Sequence, residues 1–186
     1  LEALRLVPPE ILRFLIARNK TNRHIDFDTG DALIELADEY ERLLGRIAQE
    51  GDEMADDLNR RQKVAWEVDR AQIRLSQVKH GTQPDLSATA VSFRHLAMLA
   101  QIRERDDDIW DSLHSSHHLA APQASTTLAK RLDCIRVWIG SEHFPDGFRL
   151  RIQSQPSAAA LENLTPEGQD YLRVLAAEFA ECEWNI

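Results

Sequence analysis

Leu33, Leu36, Ala37, Tyr40, Leu43, Leu44 and Ile47 fall at i, i+3, i+4, i+7, i+10, i+11 and i+14, which lines them along one face of a single helix. That stripe runs for about four turns, too long to be hidden by the helix that carries it. Other elements of the chain must cover it. Asp28 stands where a carboxylate can accept the first amides of this helix, and Gly51 stands where it should stop.

The covering elements also read as helices. Pro8 and Pro9 precede Ile11, Leu12, Phe14, Leu15 and Ile16; proline suits a first turn, Glu10 suits its positive end, and a short helix over about 9–19 is expected. Met54, Leu58, Val64 and Val68 among dense charge predict a helix from about Glu53 to Arg70. Ile73, Leu75 and Gln77 begin to alternate and predict an extended strip. His80 to Asp85 is rich in turn residues and marks the expected division, giving domains 1–84 and 85–186.

In the second part, Ser92 can cap a helix bearing Phe93, Leu96, Ala97, Leu99 and Ala100. Asp106 to Asp108 charge the start of the next, whose buried side is Ile109, Trp110 and Leu113. Pro122 breaks the chain, and Ser125 caps a helix with Leu128, Leu132, Ile135, Trp138 and Ile139 that ends at Gly140. A loop over Glu142 to Gly147 follows. Thr165-Pro166-Glu167 then opens a last helix with Tyr171, Leu172, Leu175, Ala176 and Phe179 on one face. About seven helices and no strand-rich region make the expected class all-α, a helical bundle.

Composition bounds the function. With 186 residues, 43% of them hydrophobic, the chain can bury a core. Its 31 acidic residues against 22 Lys plus Arg give a net charge of -9, which excludes a wholly basic nucleic-acid-coating protein. Cys134 and Cys182 lie far apart with no CxxC, so a disulfide framework is not indicated and a reducing, cytoplasmic setting is expected. No apolar run approaches the ~20 residues of a bilayer span, so no membrane association is expected. A first residue of Leu1 and a last of Ile186 suggest a piece of a longer polypeptide.

Self-contained catalytic chemistry is not visible. His114, His117 and His118 have helical spacing for two imidazoles on one face but lack a third ligand, so they read as solvent-facing residues at a helix end and no metal is expected. There is no GxSxG elbow, Walker loop or GxGxxG. Asp56-Asp57 and Glu181 with Glu183 read as solvated acidic faces, and the four tryptophans as core. Arg18, Lys20, Arg23 and His24 are different, because they gather cationic groups at one helix end in an acidic chain. Composition leaves two readings open, phosphate binding or complementation of the helix dipole.

The run Pro8-Pro9-Glu10-Ile11-Leu12-Arg13-Phe14-Leu15-Ile16-Ala17-Arg18-Asn19-Lys20, continuing through Asn22-Arg23-His24-Ile25-Asp26-Phe27-Asp28, resembles the class I lysyl-tRNA synthetases after their ATP-site signature. Asp38-Glu39-Tyr40-Glu41-Arg42 stands where that family carries a DEYxR sequence. Ser92-Phe93-Arg94-His95-Leu96, the Trp138 helix with its Phe-Pro loop, and the Leu164-Thr165-Pro166 helix extend the likeness over nearly the whole chain.

The resemblance implies a C-terminal helical portion, with residues 1–84 like a stem-contacting connector and 85–186 like an incomplete anticodon-binding helix cage. The nucleotide-binding fold, with its HIGH-like and KMSKS-like elements, would precede Leu1. ATP would thus belong to the parent enzyme, a lysine–tRNA ligase, and no cofactor or catalytic residue to this portion. The implied partners are lysine tRNA and the catalytic domain of the same parent chain, not DNA. RNA contacts are expected at Arg18, Lys20, Arg23 and His24 for phosphates, and at Arg94 and His95 on the second part. A glutamyl-type synthetase would share the helix-cage plan, but the Ile25-Asp26-Phe27-Asp28 connector and the Asp38 to Arg42 run favour the lysine family. The alternatives from other classes are a helical protein-interaction scaffold and, on the histidines alone, a metal-dependent hydrolase.

Overall fold

The computed structural model describes residues 2–20, 22, 24–25, 27–50, 59–79, 83–121, 124–151, 155 and 157–182. Among these the secondary structure is helical, without a strand. The chain divides into two compact units, Leu1–Leu150 and Arg151–Ile186. The division expected near residue 84 falls inside the first unit.

The first unit opens with one turn, α1 (Ala3–Leu6), and then α2 (Pro9–Arg18), which has proline at its first position and Glu10 in its first turn. The Asn19 side-chain amide donates to the Leu15 carbonyl at 2.7 Å and closes the end of α2. Beyond the connector, the Asp28 carboxylate accepts the Gly30 N–H at 2.8 Å, and α3 (Asp31–Glu50) begins at the next residue. The expected stripe on α3 is buried from Leu33 to Leu44, with Ile47 packed at its edge.

α4 (Arg60–Ser76) starts with a reciprocal cap, in which the Asn59 side chain accepts the Gln62 N–H while Gln62 accepts the Asn59 N–H. Residues 51–58, with Gly51, Met54 and Asp56-Asp57, lie outside the described residues. The extended strip expected over Ile73 to Gln77 is corrected, because α4 continues to Ser76 and only Gln77 is extended. Ile73 is buried while Leu75 is exposed, so the alternation arises from two sides of one helix. Its last carbonyls also find donors: Arg13 of α2 reaches the Leu75 carbonyl at 3.0 Å, and the Gln77 side chain reaches that of Ile73 at 2.9 Å.

α5 (Ser87–Ala90) leads to α6 (Phe93–Ile102), α7 (Asp106–Ser115) and α8 (Thr126–Ile139). Ser92 and Ser125 act as the expected N-caps, accepting the His95 and Leu128 amides. Asp106, Asp107 and Asp108 occupy the first turn of α7, and Gly140 caps α8. The loop after α8 contains a single 3-10 turn, Asp146–Phe148. The core is continuous: Phe14, Tyr40, Phe93, Leu96, Ile109, Leu113, Leu132 and Trp138 lie in one cluster drawn from α2, α3, α6, α7 and α8. Trp138 is fully buried, stacked edge-on against Phe144, and its indole N–H donates to the Thr29 carbonyl at 2.6 Å.

The second unit contains α9 (Ala158–Glu162) and α10 (Pro166–Glu181). Thr165 caps α10 by accepting the Gly168 N–H, as its sequence implies. Tyr171, Leu172, Val174 and Phe179 of this helix are exposed.

Candidate nucleic-acid interface

The run Asp38 to Glu41 occupies one turn of α3 and sends successive side chains to different helices. Asp38 pairs with Arg94 of α6 at 2.7 Å, and Glu39 pairs with Arg18 of α2. Tyr40 is buried edge-on against Phe14 of α2, with its hydroxyl 3.4 Å from the Gln77 side-chain amide beyond α4. Burial raises its phenol pKa, opposed by the hydrogen bond from Gln77. Glu41 enters the core.

There it meets Arg131 of α8, whose side chain is wholly enclosed. Arg131 donates through Nε to Glu10 at 2.7 Å and through Nη1 to Glu41 at 2.6 Å, and its guanidinium lies 5.7 Å from the Tyr40 ring centroid. The Glu41 oxygen that receives Arg131 also accepts the Phe93 N–H at 2.8 Å, an otherwise orphaned amide at the start of α6. One cation thus faces two buried carboxylates. Burial pushes the Glu41 carboxyl up to about 7 against the pull of Arg131 and the Phe93 amide. The same surroundings push the buried Cys134 thiol up to about 11, through desolvation first and then the charges of Glu10 and Asp133.

This triad escaped the sequence reading, although a signal was present. Arg131 lies three residues after Leu128 and four before Ile135, and Glu41 lies four after Ala37 and three before Leu44. Charges at stripe positions of two different helices must be paired inside or distort the core. Their function here is to hold α2, α3, α6 and α8 in register.

The expected RNA-facing residues are placed as follows. Arg18 and Lys20 are exposed at and just beyond the end of α2, His24 is exposed on the connector, and Arg23 lies outside the described residues. A cleft of about 220 Å³ beside Arg18 is edged by Asp28, Glu35 and Glu39, so the local field around this guanidinium is acidic. Arg94 and His95 stand together at the start of α6, some distance along the chain from that group. The Arg94 guanidinium lies 4.9 Å from the centroid of the Phe148 ring as well as on Asp38. His95 is half-buried with its ring edge-on to His118 at 5.2 Å, and burial followed by repulsion from His118 lowers its pKa. Both border a cleft of about 470 Å³ floored by Met98 and Phe148.

The remaining histidines diverge. His117 sits at a positive φ of 61° where α7 ends, and the His118 and Leu119 amides return to the Leu113 carbonyl. His114 turns its ring to the Leu119 carbonyl at 3.1 Å, and His118 turns to Ser116 at 2.8 Å. Among the described residues no three His, Cys, Asp or Glu side chains are grouped to hold a metal ion. None of the described helices is long and apolar enough to cross a membrane.

Comparison with known proteins places these helices in a family. A family model described as "tRNA synthetases class I (K)" matches residues 1–72, which include α1 to α3 and most of α4. A lysine–tRNA ligase of Picrophilus torridus is 33% identical over 138 residues, covering 74% of this chain and 24% of its own length. One of Thermoplasma volcanium is 38% identical over 108 residues, 58% of this chain and 18% of its own. One of Archaeoglobus fulgidus is 26% identical over 176 residues, 94% of this chain and 29% of its own. The chain thus spans about a quarter of the length of such relatives. No solved structure matches it. On the sequence of α2 and α3 and on relatives that extend the likeness across α4 to α8, the chain belongs to the class I lysyl-tRNA synthetase family.

Proposed function

We propose that the chain is the tRNA-binding, C-terminal helical portion of a class I lysyl-tRNA synthetase, a cytoplasmic enzyme whose full-length form attaches lysine to its tRNA with ATP. The observation that carries this reading is the match of residues 1–72 to the family, together with relatives that are lysine–tRNA ligases. ATP and lysine would be held by the catalytic domain of the parent, following which this portion supplies contacts to lysine tRNA. Residues 1–84 serve as the stem-contacting connector and 85–186 as the anticodon-arm cage.

In this reading Arg18, Lys20, Arg23 and His24 meet phosphate oxygens, the contacts that dominate affinity for a nucleic acid. Arg94 and the ring of His95 flank the cleft over Met98 and Phe148, a surface suited to the face of an unstacked base. The pairing of Arg18 with Glu39 and of Arg94 with Asp38 favours the rival reading, a helical protein-interaction scaffold without RNA binding, since a phosphate must displace a carboxylate at each.

Titrating the chain with a lysine tRNA transcript, another tRNA and a charge-matched polyanion separates the two. Preferential binding of the lysine tRNA supports the synthetase reading. Equal or absent binding of all three moves the scaffold to first place.

A further inference from the structure

α4 carries five cations, Arg60, Arg61, Lys63, Arg70 and Arg74, in a chain whose net charge is -9. At ~100° per residue, Arg60, Lys63, Arg70 and Arg74 all fall within a sector of about 80° on one side of the helix. The stripe is about 21 Å long between its end residues, at ~1.5 Å per residue. Arg60, Arg70 and Arg74 are exposed and Lys63 is half-buried.

We propose that this face of α4 is a binding track for the phosphate backbone of an RNA strand. The identity of that RNA as a tRNA rests on the function proposed above; the track itself rests on charge and register.

Of the two acids of α4, Glu67 and Asp69, one is turned away from the track. Asp69 lies on the opposite side of the helix, where it pairs with Arg46 of α3. Glu67 alone interrupts the stripe. Arg60, Lys63 and Arg74 form no ion pair with a described residue, in contrast to Arg18 and Arg94, which are each held by a carboxylate of α3. Phosphates therefore gain these cations without displacing a resident anion, and release of RNA counterions is the main driving force.

The shape fits as well. Beside Arg70 and Arg74 the surface dips into a cleft of about 590 Å³ whose walls include Ile47, Ile73 and Pro84. Trp66 lies in the same wall with the Arg70 guanidinium 4.5 Å above its ring, which fixes that cation at the rim. The same cleft is lined by Glu67 and Gln83, so the hollow is mixed in polarity, with Arg70 and Arg74 as its cations.

The test compares the chain with its Arg60→Gln/Lys63→Gln/Arg74→Gln variant, circular dichroism confirming equal helicity. Each is titrated with lysine tRNA and with poly-uridylate at several salt concentrations. The expected result is a loss of at least ~10-fold in affinity at low salt and a salt slope shallower by roughly two to three units. If the unsubstituted chain binds both RNAs alike and the variant loses both, the track stands and the tRNA reading falls. Unchanged affinity and slope in the variant, or no binding of either RNA by the unsubstituted chain, overturns the track.

Discussion

Glu41 and Arg131 meet in the core at 2.6 Å although 90 residues separate them in the chain. Arg131 is also the partner of Glu10 at 2.7 Å, so its removal would strand two buried carboxylates at once. Arg131→Met should therefore destabilise the first unit by about 3–5 kcal/mol, the usual cost of leaving buried charge uncompensated. Denaturant unfolding of the variant measures this directly. A loss below about 1 kcal/mol would show that the triad adds little.

Stability should also carry a pH signature from Glu41. Its folded carboxyl titrates near about 7, above the ordinary 4.5, so between those values the folded chain holds the extra proton. The contribution of this group to stability is therefore full below the ordinary value and is lost as pH rises through the folded one. Glu41→Gln keeps an oxygen for the Phe93 amide and removes the titration. Melting curves from pH 5 to 8 should show a flatter profile for this variant than for the parent chain, and parallel profiles would assign the pH dependence elsewhere.

The two cysteines should differ sharply in reactivity. Cys134 is buried and its thiol is raised to about 11, whereas Cys182 is exposed. Iodoacetamide at pH 8 should label only Cys182 in the folded protein and both residues after denaturation. Mass mapping of the labelled peptides reads the outcome, and rapid labelling of Cys134 in the native chain would contradict its burial.

Freeing the paired arginines should strengthen RNA binding if they touch phosphate. Glu39→Gln releases Arg18, and Asp38→Asn releases Arg94, at exposed positions where an ion pair contributes only about 0–1 kcal/mol. Each substitution should raise affinity for lysine tRNA several-fold and steepen its salt dependence, each by about one contact. Fluorescence anisotropy at two salt concentrations is sufficient, and unaltered binding would remove both arginines from the interface.

What the sequence revealed depended on distance along the chain. The Ser92, Ser125 and Thr165 caps were legible because each side chain bonds an amide three residues away. The α3 stripe was legible because its period is a property of one helix. Local pattern misled at Ile73 to Gln77, where a buried and an exposed residue at the end of α4 imitated a strand, and only the carbonyl partners Arg13 and Gln77 reveal the helix. The Arg131 triad joins residues 121 and 90 positions apart, a pairing no local pattern encodes. The basic face of α4 was hidden differently: read linearly its cations mix with Glu67 and Asp69, and only winding the helix gathers Arg60, Lys63, Arg70 and Arg74 on one side, with Asp69 turned away to Arg46 and Glu67 left among them. For α10 the period marked an apolar face, but a period does not say whether that face is covered, and Tyr171 and Phe179 are exposed.

Consecutive residues Asp38, Glu39, Tyr40 and Glu41 engage α6, α2, the end of α4 and α8. Adding or deleting one residue just before Asp38 would swing all four by about 100° and detach every partner together. Length variation among relatives should thus collect in the connectors and spare this turn, which sets the phase of the whole first unit much as a keyway sets a shaft.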